Sequence, residues 1–149
     1  MKKLNNNGFS LIELIIVMAI MAILTVAIAP QYLKYVERSR KSTDVQTVST
    51  ILTAIDIYAA DPTTTAAIAD GAKITLYTTD TVITSTNATN NTDKALDNAG
   101  IKSVALKSSK WVSSGNVEIT VHVGADGTIT YTDNCTEGSL VKGITVSGS

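Results

Sequence analysis

The stretch Gly8–Pro30, GFSLIELIIVMAIMAILTVAIAP, decides how this chain folds. Within it, Leu14–Ala29 contains one polar side chain, that of Thr25. At 1.5 Å per residue, a helix over Phe9–Ala29 is about 31 Å long, which is enough to cross the hydrocarbon core of a bilayer. The sequence therefore predicts that this end of the chain lies in a membrane or in another environment without water.

Glu13 is the ionisable side chain inside this apolar stretch. A charge at the centre of a membrane helix costs about 2.5–3.5 kcal/mol on insertion scales, and less near the end, so such a residue is a candidate functional site. Cleavage between Gly8 and Phe9 would supply a partner, because the new α-amino group of Phe9 would be positively charged one helical turn away. The same amine on a neighbouring copy could serve equally well. Alternatively, the carboxylate simply reaches towards the headgroups.

The order of these features resembles a type IV prepilin. A short leader with Lys2 and Lys3 precedes Gly8 and Phe9, Glu13 is the fifth residue after the expected cut, and Pro30 follows the apolar run. The resemblance implies that a prepilin peptidase cleaves the Gly8–Phe9 bond and N-methylates Phe9, and that Glu13 serves in subunit assembly. It covers residues 1–30 only.

An ordinary secretory signal is the rival interpretation. The lysines, the apolar core and Ala27–Ala29 fit a signal with an A-x-A cleavage site. Glu13 argues against it because it interrupts the apolar region. Pro30 also argues against it, because proline directly after the cut would hinder an extended substrate. The mature N-terminus separates the two: Phe9 in one case, Pro30 in the other.

The helix is predicted to run from Phe9 to about Ala60, where Asp61-Pro62 ends it. Pro30 is predicted to kink or locally unwind it near Ile23–Gln31, because proline lacks an N–H and clashes with the preceding turn. Beyond this point, apolar residues spaced by three and four form the stripe of an amphipathic helix, and that stripe needs a covering partner. The stripe consists of Val45, Val48, Leu52, Ile55 and Ala59.

The C-terminal third of the chain has the strongest strand pattern. Apolar and polar residues alternate along Val117–Val123 and again along Thr128–Thr132, and Gly124–Gly127 reads as a turn, so an antiparallel hairpin is predicted. Lys110–Val112 and Leu140–Val146 are candidate flanking strands. Weaker signals predict a short helix over 62–69, strands over 74–77 and 81–84, and one or two helical turns over Asp93–Ala99.

These elements predict an α+β chain, and the resemblance implies a pilin-like fold in which a long N-terminal helix packs on an antiparallel sheet. The predicted organisation is a removed leader (1–8), a transmembrane or filament-core helix (9–30), an amphipathic helix (31–60), an αβ-loop region (61–100) and a C-terminal sheet region (101–149).

The net charge argues against one class of partner, and the role of one basic cluster has two interpretations. The 149 residues carry a formal net charge of −1, which becomes −3 once Lys2 and Lys3 leave with the leader. A net negative charge argues against nucleic acid as a partner, because proteins that bind it cluster Lys and Arg on one face. A basic cluster follows the apolar segment and, by the positive-inside rule alone, would be cytoplasmic, whereas the resemblance implies the opposite orientation. The cluster is either a solvated helix face or a contact with outer-leaflet headgroups or acidic neighbours; it comprises Lys34, Arg38, Arg40 and Lys41.

Candidate chemical sites are few. One cysteine, Cys135, cannot form an intrachain disulfide. Since many Gram-negative pilins have a paired-cysteine loop near the C-terminus, this departure favours a Gram-positive pilin or a pseudopilin. His122 is expected to be solvated. The acids near Asp133 fit no calcium pattern, although the major pseudopilins of type II secretion are similar in using calcium there. We expect no enzyme, no cofactor and no metal.

The expected function is structural: a type IV pilus (fimbrial) subunit, stored as a single-pass cytoplasmic-membrane precursor and polymerised into an extracellular homo-oligomeric filament for adhesion or twitching motility. Its expected partners are its own copies, the prepilin peptidase and the pilus assembly platform. The alternative is a pseudopilin of a type II secretion or competence DNA-uptake system. A third class is a membrane-anchored or secreted binding module.

Overall fold

The computed structural model of the chain describes residues 9–61, 63, 67–78, 84–85, 91–113, 115–142 and 145–146. The chain divides into two compact units, Met1–Arg38 and Ser39–Ser149. One helix, α1 (Leu11–Ala60), contributes residues to both units, and the other described elements belong to the second.

Helix α1 is 50 residues long and does not stop at Pro30. It begins at Leu11 rather than at the predicted Phe9, because the carbonyl of Ser10 accepts the first helical bonds, from the N–H groups of Glu13 (3.1 Å) and Leu14 (3.3 Å). It ends at Ala60, as predicted. The Thr25 hydroxyl donates to the carbonyl of Met21 at 2.8 Å, so this lone polar side chain of the apolar segment is satisfied within the helix. The local unwinding predicted near Ile23–Gln31 is wrong, because these residues are helical throughout, and the kink at Pro30 stays a prediction.

The second unit contains an antiparallel sheet and a short helix. The sheet order is β2-β1-β3-β4-β5, with every neighbouring pair antiparallel. The elements are β1 (Ala72–Leu76), β2 (Thr84–Ser85), α2 (Thr92–Asn98), β3 (Val117–Val123), β4 (Ile129–Asp133) and β5 (Thr145–Val146).

Strands β3 and β4 form the predicted hairpin. Val121 pairs with Tyr131 and Val123 with Ile129, and these side chains alternate with exposed ones. In the turn, the N–H of Gly124 donates to the carbonyl of Thr128 at 2.8 Å. Gly127 has φ of 81°, a left-handed conformation that glycine adopts without the steric cost of a Cβ. The turn residues therefore fix the register that buries the apolar face.

The buried face of α1 differs in part from the predicted stripe. Val48, Leu52 and Ile55 are fully buried, but Val45 is 37% exposed and Ala59 is exposed as well. The face is rotated instead towards Ile51, Ala54 and Tyr58, which lie in the same core as β1, β3 and β4. Spacing by three and four defines a stripe but not which flank the sheet covers, so the rotation depends on tertiary packing.

Two predicted strands are wrong in whole or in part. Lys110–Val112 is not a strand: Trp111 lies in irregular backbone, and its indole packs into the core with 4% exposure. Among the described residues of Leu140–Val146, Thr145 and Val146 pair with β4, whereas residues 140–142 are not in a strand. The N–H groups of Leu140 and Val141 donate to Asp133 rather than to a strand, which satisfies these donors outside the sheet.

The middle of the chain agrees with prediction where it is described. Strand β1 and helix α2 occupy the predicted positions at 74–77 and Asp93–Ala99, within a few residues. Of the predicted helix over 62–69, residues 63 and 67–69 are not helical and the others lie outside the described residues, as do 81–83 of the strand predicted over 81–84. The α+β class is confirmed, with the second half of α1 packed on an antiparallel sheet.

Candidate functional site

The N-terminal end of α1 brings Glu13 back towards Ser10. Oε2 of Glu13 accepts a hydrogen bond from the backbone N–H of Ser10 at 2.9 Å. Phe9, which precedes this bond, is 91% exposed. Gly8 lies outside the described residues. The carboxylate predicted to be functional therefore lies at the helix terminus beside the predicted cleavage position.

This contact is the glutamate half of a capping box. In that motif a Ser or Thr precedes the helix, and a Glu three positions later reaches back to its N–H, which would otherwise lack a helical partner. The negative charge also interacts favourably with the helix dipole. Sequence reasoning missed Ser10, although the spacing Ser10-x-x-Glu13 was a readable signal. Glu13 thus has a role within a single chain, in addition to any partner on another copy.

The apolar side chains of α1 in the first unit are exposed. The most apolar window of 18 residues has a mean hydropathy of 2.9 and is 0% buried, so α1 is a candidate membrane span by length and composition. The exposed fraction of the large apolar side chains in this part of α1 ranges from 49% at Val17 to 77% at Val26. A continuous apolar surface of this size marks a membrane or protein-interaction surface.

Comparison with known families bears directly on this end. Residues 3–29 match the family described as the prokaryotic N-terminal methylation motif, the prepilin-type signature of type IV pilins and pseudopilins. The chain carries a prepilin-type N-terminus. No curated protein and no solved structure matched the chain. The motif implies processing by a prepilin peptidase and assembly into pilus-like filaments, and with the apolar helix it is consistent with membrane anchoring before assembly.

The prepilin-type match includes Gly8, Phe9 and Glu13 and ends just before Pro30. Cleavage after Gly8, methylation of Phe9 and the assembly role of Glu13 remain predictions for these particular residues. The structure adds the geometry of Glu13 at the helix terminus.

Asp44 is a buried carboxylate that sequence reasoning missed. It lies on α1, is 1% exposed, and accepts three hydrogen bonds from one loop. The donors are the N–H of Lys107 (2.6 Å), the N–H of Ser108 (2.9 Å) and Nε1 of Trp111 (2.9 Å). Because a buried carboxylate is tolerated only when it is well hydrogen-bonded, this cluster fixes the 107–111 loop against the helix. In sequence, Asp44 looks like any solvated acid on a helix.

Lys41 covers the same cluster one turn earlier on α1. Its Nζ lies 4.7 Å from the centroid of the Trp111 ring, a cation–π contact. The same Nζ lies 3.3 Å from Oε2 of Glu137 and 3.1 Å from the Glu137 carbonyl. One cation thereby connects α1 with both the Trp111 loop and the C-terminal loop, which gives this member of the basic cluster a structural role.

A second buried polar contact connects α1 with β4. The Tyr131 hydroxyl donates to Oδ1 of Asp56 and also contacts the carbonyl of Leu52. Burial raises the pKa of Tyr131, and the hydrogen bond to Asp56 raises it further. Burial also raises the pKa of Asp56, because its effect is larger than the opposite effect of the hydrogen bond from Tyr131. Together with the Asp44 cluster, this contact holds the second half of α1 against the rest of the second unit at two separate points.

Asp133 organises the C-terminal loop. Its carboxylate accepts hydrogen bonds from the Ser139 hydroxyl (2.6 Å) and from the N–H groups of Cys135 (3.0 Å), Leu140 (2.8 Å) and Val141 (3.1 Å). Cys135 is a free thiol, and burial, with Asp133 nearby, raises its pKa to about 12. Within the described residues, no group of three or more His, Cys, Asp or Glu side chains could hold a metal ion. The Asp133 carboxylate thereby closes the loop that runs from Asp133 to Val141.

Asp133→Asn should weaken this loop and reduce the acid sensitivity of folding. Burial raises the pKa of Asp133, but the hydrogen bonds outweigh it and leave the pKa below its ordinary value. The carboxylate therefore contributes stability above about pH 4, and this contribution is lost as pH falls through the lower folded pKa. We expect a loss of about 1–3 kcal/mol at pH 7 and a smaller loss at pH 3. Thermal unfolding at both pH values measures this, with Asp97→Asn, an exposed acid, as control; equal losses at both would contradict the mechanism.

Proposed function

We propose that this chain is a structural subunit of a type IV pilus, made as a prepilin that is cleaved after Gly8 and polymerised through α1. The observation that carries the proposal is the methylation motif at residues 3–29, on a helix whose apolar window is 0% buried. Such a surface needs lipid before assembly and other helices after it.

The proposed mechanism is physical rather than catalytic. The apolar half of α1 moves from lipid into a bundle of identical helices. Because lipid is already apolar, burial supplies little drive between the helices, and shape packing and charge pairing must set their register. Glu13 of an incoming subunit neutralises the Phe9 amine of a subunit already in the filament. Such a head-to-tail contact does not close into a ring, so it propagates as a helical filament.

The second unit supplies the outer surface of the filament, and its role is adhesion, motility or other surface behaviour. Its hydrogen-bond clusters at Asp44, Asp56 and Asp133 stabilise the fold. We propose no enzymatic activity and no cofactor. The partners are the prepilin peptidase, the pilus assembly platform, the cytoplasmic membrane and other copies of this chain.

A pseudopilin of a secretion or DNA-uptake system is the second candidate, because it has the same N-terminal motif. The lone Cys135 and the carboxylate-closed loop suit it as well as a Gram-positive pilin. Electron microscopy of cells that produce the protein at its natural level distinguishes the two, since long surface filaments support a pilus and their absence supports a pseudopilus.

Gly8→Leu should block maturation. A bulky side chain directly before the scissile bond should prevent the peptidase from accommodating the backbone, so the protein should retain residues 1–8. Mass spectrometry of the intact protein measures this, and the unaltered protein should begin at Phe9 with one added methyl group.

Asn7→Leu is the matched control, because it introduces the same side chain one residue earlier and should leave trimming intact. Normal trimming of Gly8→Leu would contradict the assigned cleavage site. A mature protein that begins at Pro30 would instead identify a secretory signal and overturn the proposed function.

A further inference from the structure

The segment that follows the apolar part of α1 combines exposed aromatic and basic side chains. Tyr32 and Tyr35 are 63% and 72% exposed, and Lys34 and Arg38 are exposed too. We call these four residues the collar; all belong to the first compact unit. Tyrosine concentrates at membrane–water interfaces, where its ring is apolar and its hydroxyl is hydrated, and Lys and Arg extend from helix ends to headgroups.

The rise of the helix places the collar at headgroup depth. If Ala29 marks the edge of the hydrocarbon core, Tyr32 and Lys34 lie about 4.5 and 7.5 Å beyond it, within a headgroup layer about 5–8 Å thick. Arg38 lies about 13.5 Å beyond it. Helical side chains lean towards the N-terminus of their helix, which here is the membrane side, so the long Arg38 side chain points back towards the phosphates.

The chain itself offers these two cations no alternative partner within its described residues. Lys34 and Arg38 have no ion pair or hydrogen bond there, whereas Lys41, on the same side of α1, is bound to Glu137 and the Trp111 ring. Glu37, the acid of this segment, is half-buried and has an interaction of its own. The collar thus presents positive charge to its surroundings.

We propose that the collar binds anionic phospholipid headgroups on the leaflet from which α1 leaves the membrane. Identifying that leaflet as the outer one of the cytoplasmic membrane rests on the proposed function. The Arg38 guanidinium donates a pair of N–H groups to phosphate oxygens, Lys34 contributes a point charge, and the tyrosine rings lie at the boundary with the acyl chains. This contact holds the stored precursor at a defined depth before assembly.

The direct test measures the distance from Arg38 to lipid phosphorus. The sequence contains two arginines, so full-length Arg40→Lys protein labelled with carbon-13 in its arginine guanidinium reports on Arg38 alone. In phosphatidylcholine vesicles containing phosphatidylglycerol, solid-state NMR should give a carbon–phosphorus distance of about 4–5 Å, as a charge-assisted hydrogen bond requires. Arg38→Lys protein, which reports on Arg40, should show a weaker signal. No contact at Arg38 would overturn the proposal.

Lipid preference gives the second readout. Spin-labelled phosphatidylglycerol should associate with the protein more strongly than spin-labelled phosphatidylcholine, and Lys34→Gln/Arg38→Gln should reduce this preference by about fivefold for each cation removed. Lys102→Gln/Lys142→Gln, exposed lysines of the second unit, is the matched control and should leave it unchanged.

An unchanged preference in the collar variant, with filaments that become more sensitive to salt, would overturn the proposal in favour of acidic side chains on a neighbouring copy. Residues 42–149, with a net charge of −5, could supply them. Neither membrane measurement needs cleavage or polymerisation. Failure of the collar is therefore distinguishable from failure of the pilus assignment, which the mature N-terminus and the surface filaments test separately.

Discussion

Glu13→Ala should abolish filament formation while leaving the protein in the membrane. This substitution replaces the charged residue near the start of the apolar part of α1 with an apolar one, and removal of a charge makes insertion easier. In the filament, however, the Phe9 amine of a neighbouring subunit would be left unpaired in a medium of low dielectric constant. Breaking a buried ion pair in this way costs about 3–5 kcal/mol, so the affinity of a subunit for the filament end should fall at least about a hundredfold. Quantitative electron microscopy of sheared filaments, with membrane fractionation in parallel, measures both effects.

Glu13→Gln separates the two roles that the structure gives this side chain. Its amide oxygen can still accept the hydrogen bond from the N–H of Ser10, so the helix cap is retained while the charge is lost. If charge pairing sets the register, Gln should reduce filament yield as severely as Ala. Normal filaments with Gln but not with Ala would show that only the cap matters, and normal filaments with both would reject any assembly role for Glu13.

Asp44→Ala should destabilise the second unit by about 3 kcal/mol, because three donors, two of them on the buried residues Ser108 and Trp111, lose their acceptor. The melting temperature of the full-length protein in detergent micelles should fall by about 10–20 °C. Trp111, the single tryptophan, provides a local probe, and its emission should shift to longer wavelength as its surroundings become wetter. Circular dichroism and Trp111 fluorescence during heating make both measurements.

Two further variants show whether burial or charge accounts for this loss. Asp97→Ala removes an exposed acid from α2 and should change the melting temperature by no more than a few degrees. Asp44→Asn keeps the size of the side chain but turns an amide N–H group towards the donors, so an intermediate loss is expected. If Asp44→Ala has the same melting temperature as Asp97→Ala, the 107–111 loop does not depend on the Asp44 carboxylate.

Local patterns in the sequence were sufficient for the elements whose residues interact with near neighbours. The apolar run, the end of α1 at Ala60, helix α2 and the β3–β4 hairpin each depend on periodicity or turn chemistry that can be read within a short window. The N-terminal motif is equally local, which is why the resemblance to prepilins was confirmed by a match over residues 3–29 alone. Even the missed N-cap Ser10 could have been found from its spacing to Glu13.

The errors concern residues whose donor groups bind a side-chain carboxylate instead of the backbone of a neighbouring strand. Trp111 looks like part of a strand, but its indole packs into the core and donates to Asp44, which precedes it by 67 positions. Leu140 and Val141 look like strand residues, but their N–H groups donate to Asp133. In both cases a carboxylate replaces the strand neighbour that the pattern predicts, 67 positions away for Trp111 but seven and eight positions away for Leu140 and Val141.

The sequence by itself determined that the chain has a helix long and apolar enough for a membrane, with a carboxylate near its start, because composition and spacing along one segment define both. Only the tertiary structure decided which flank of the second half of α1 is buried, and that Asp44, Asp56 and Asp133 serve as hydrogen-bond centres of the fold. The physical reason is that burial changes the role of a side chain: the same aspartate is a solvated charge on a surface and a fixed acceptor once a distant loop covers it.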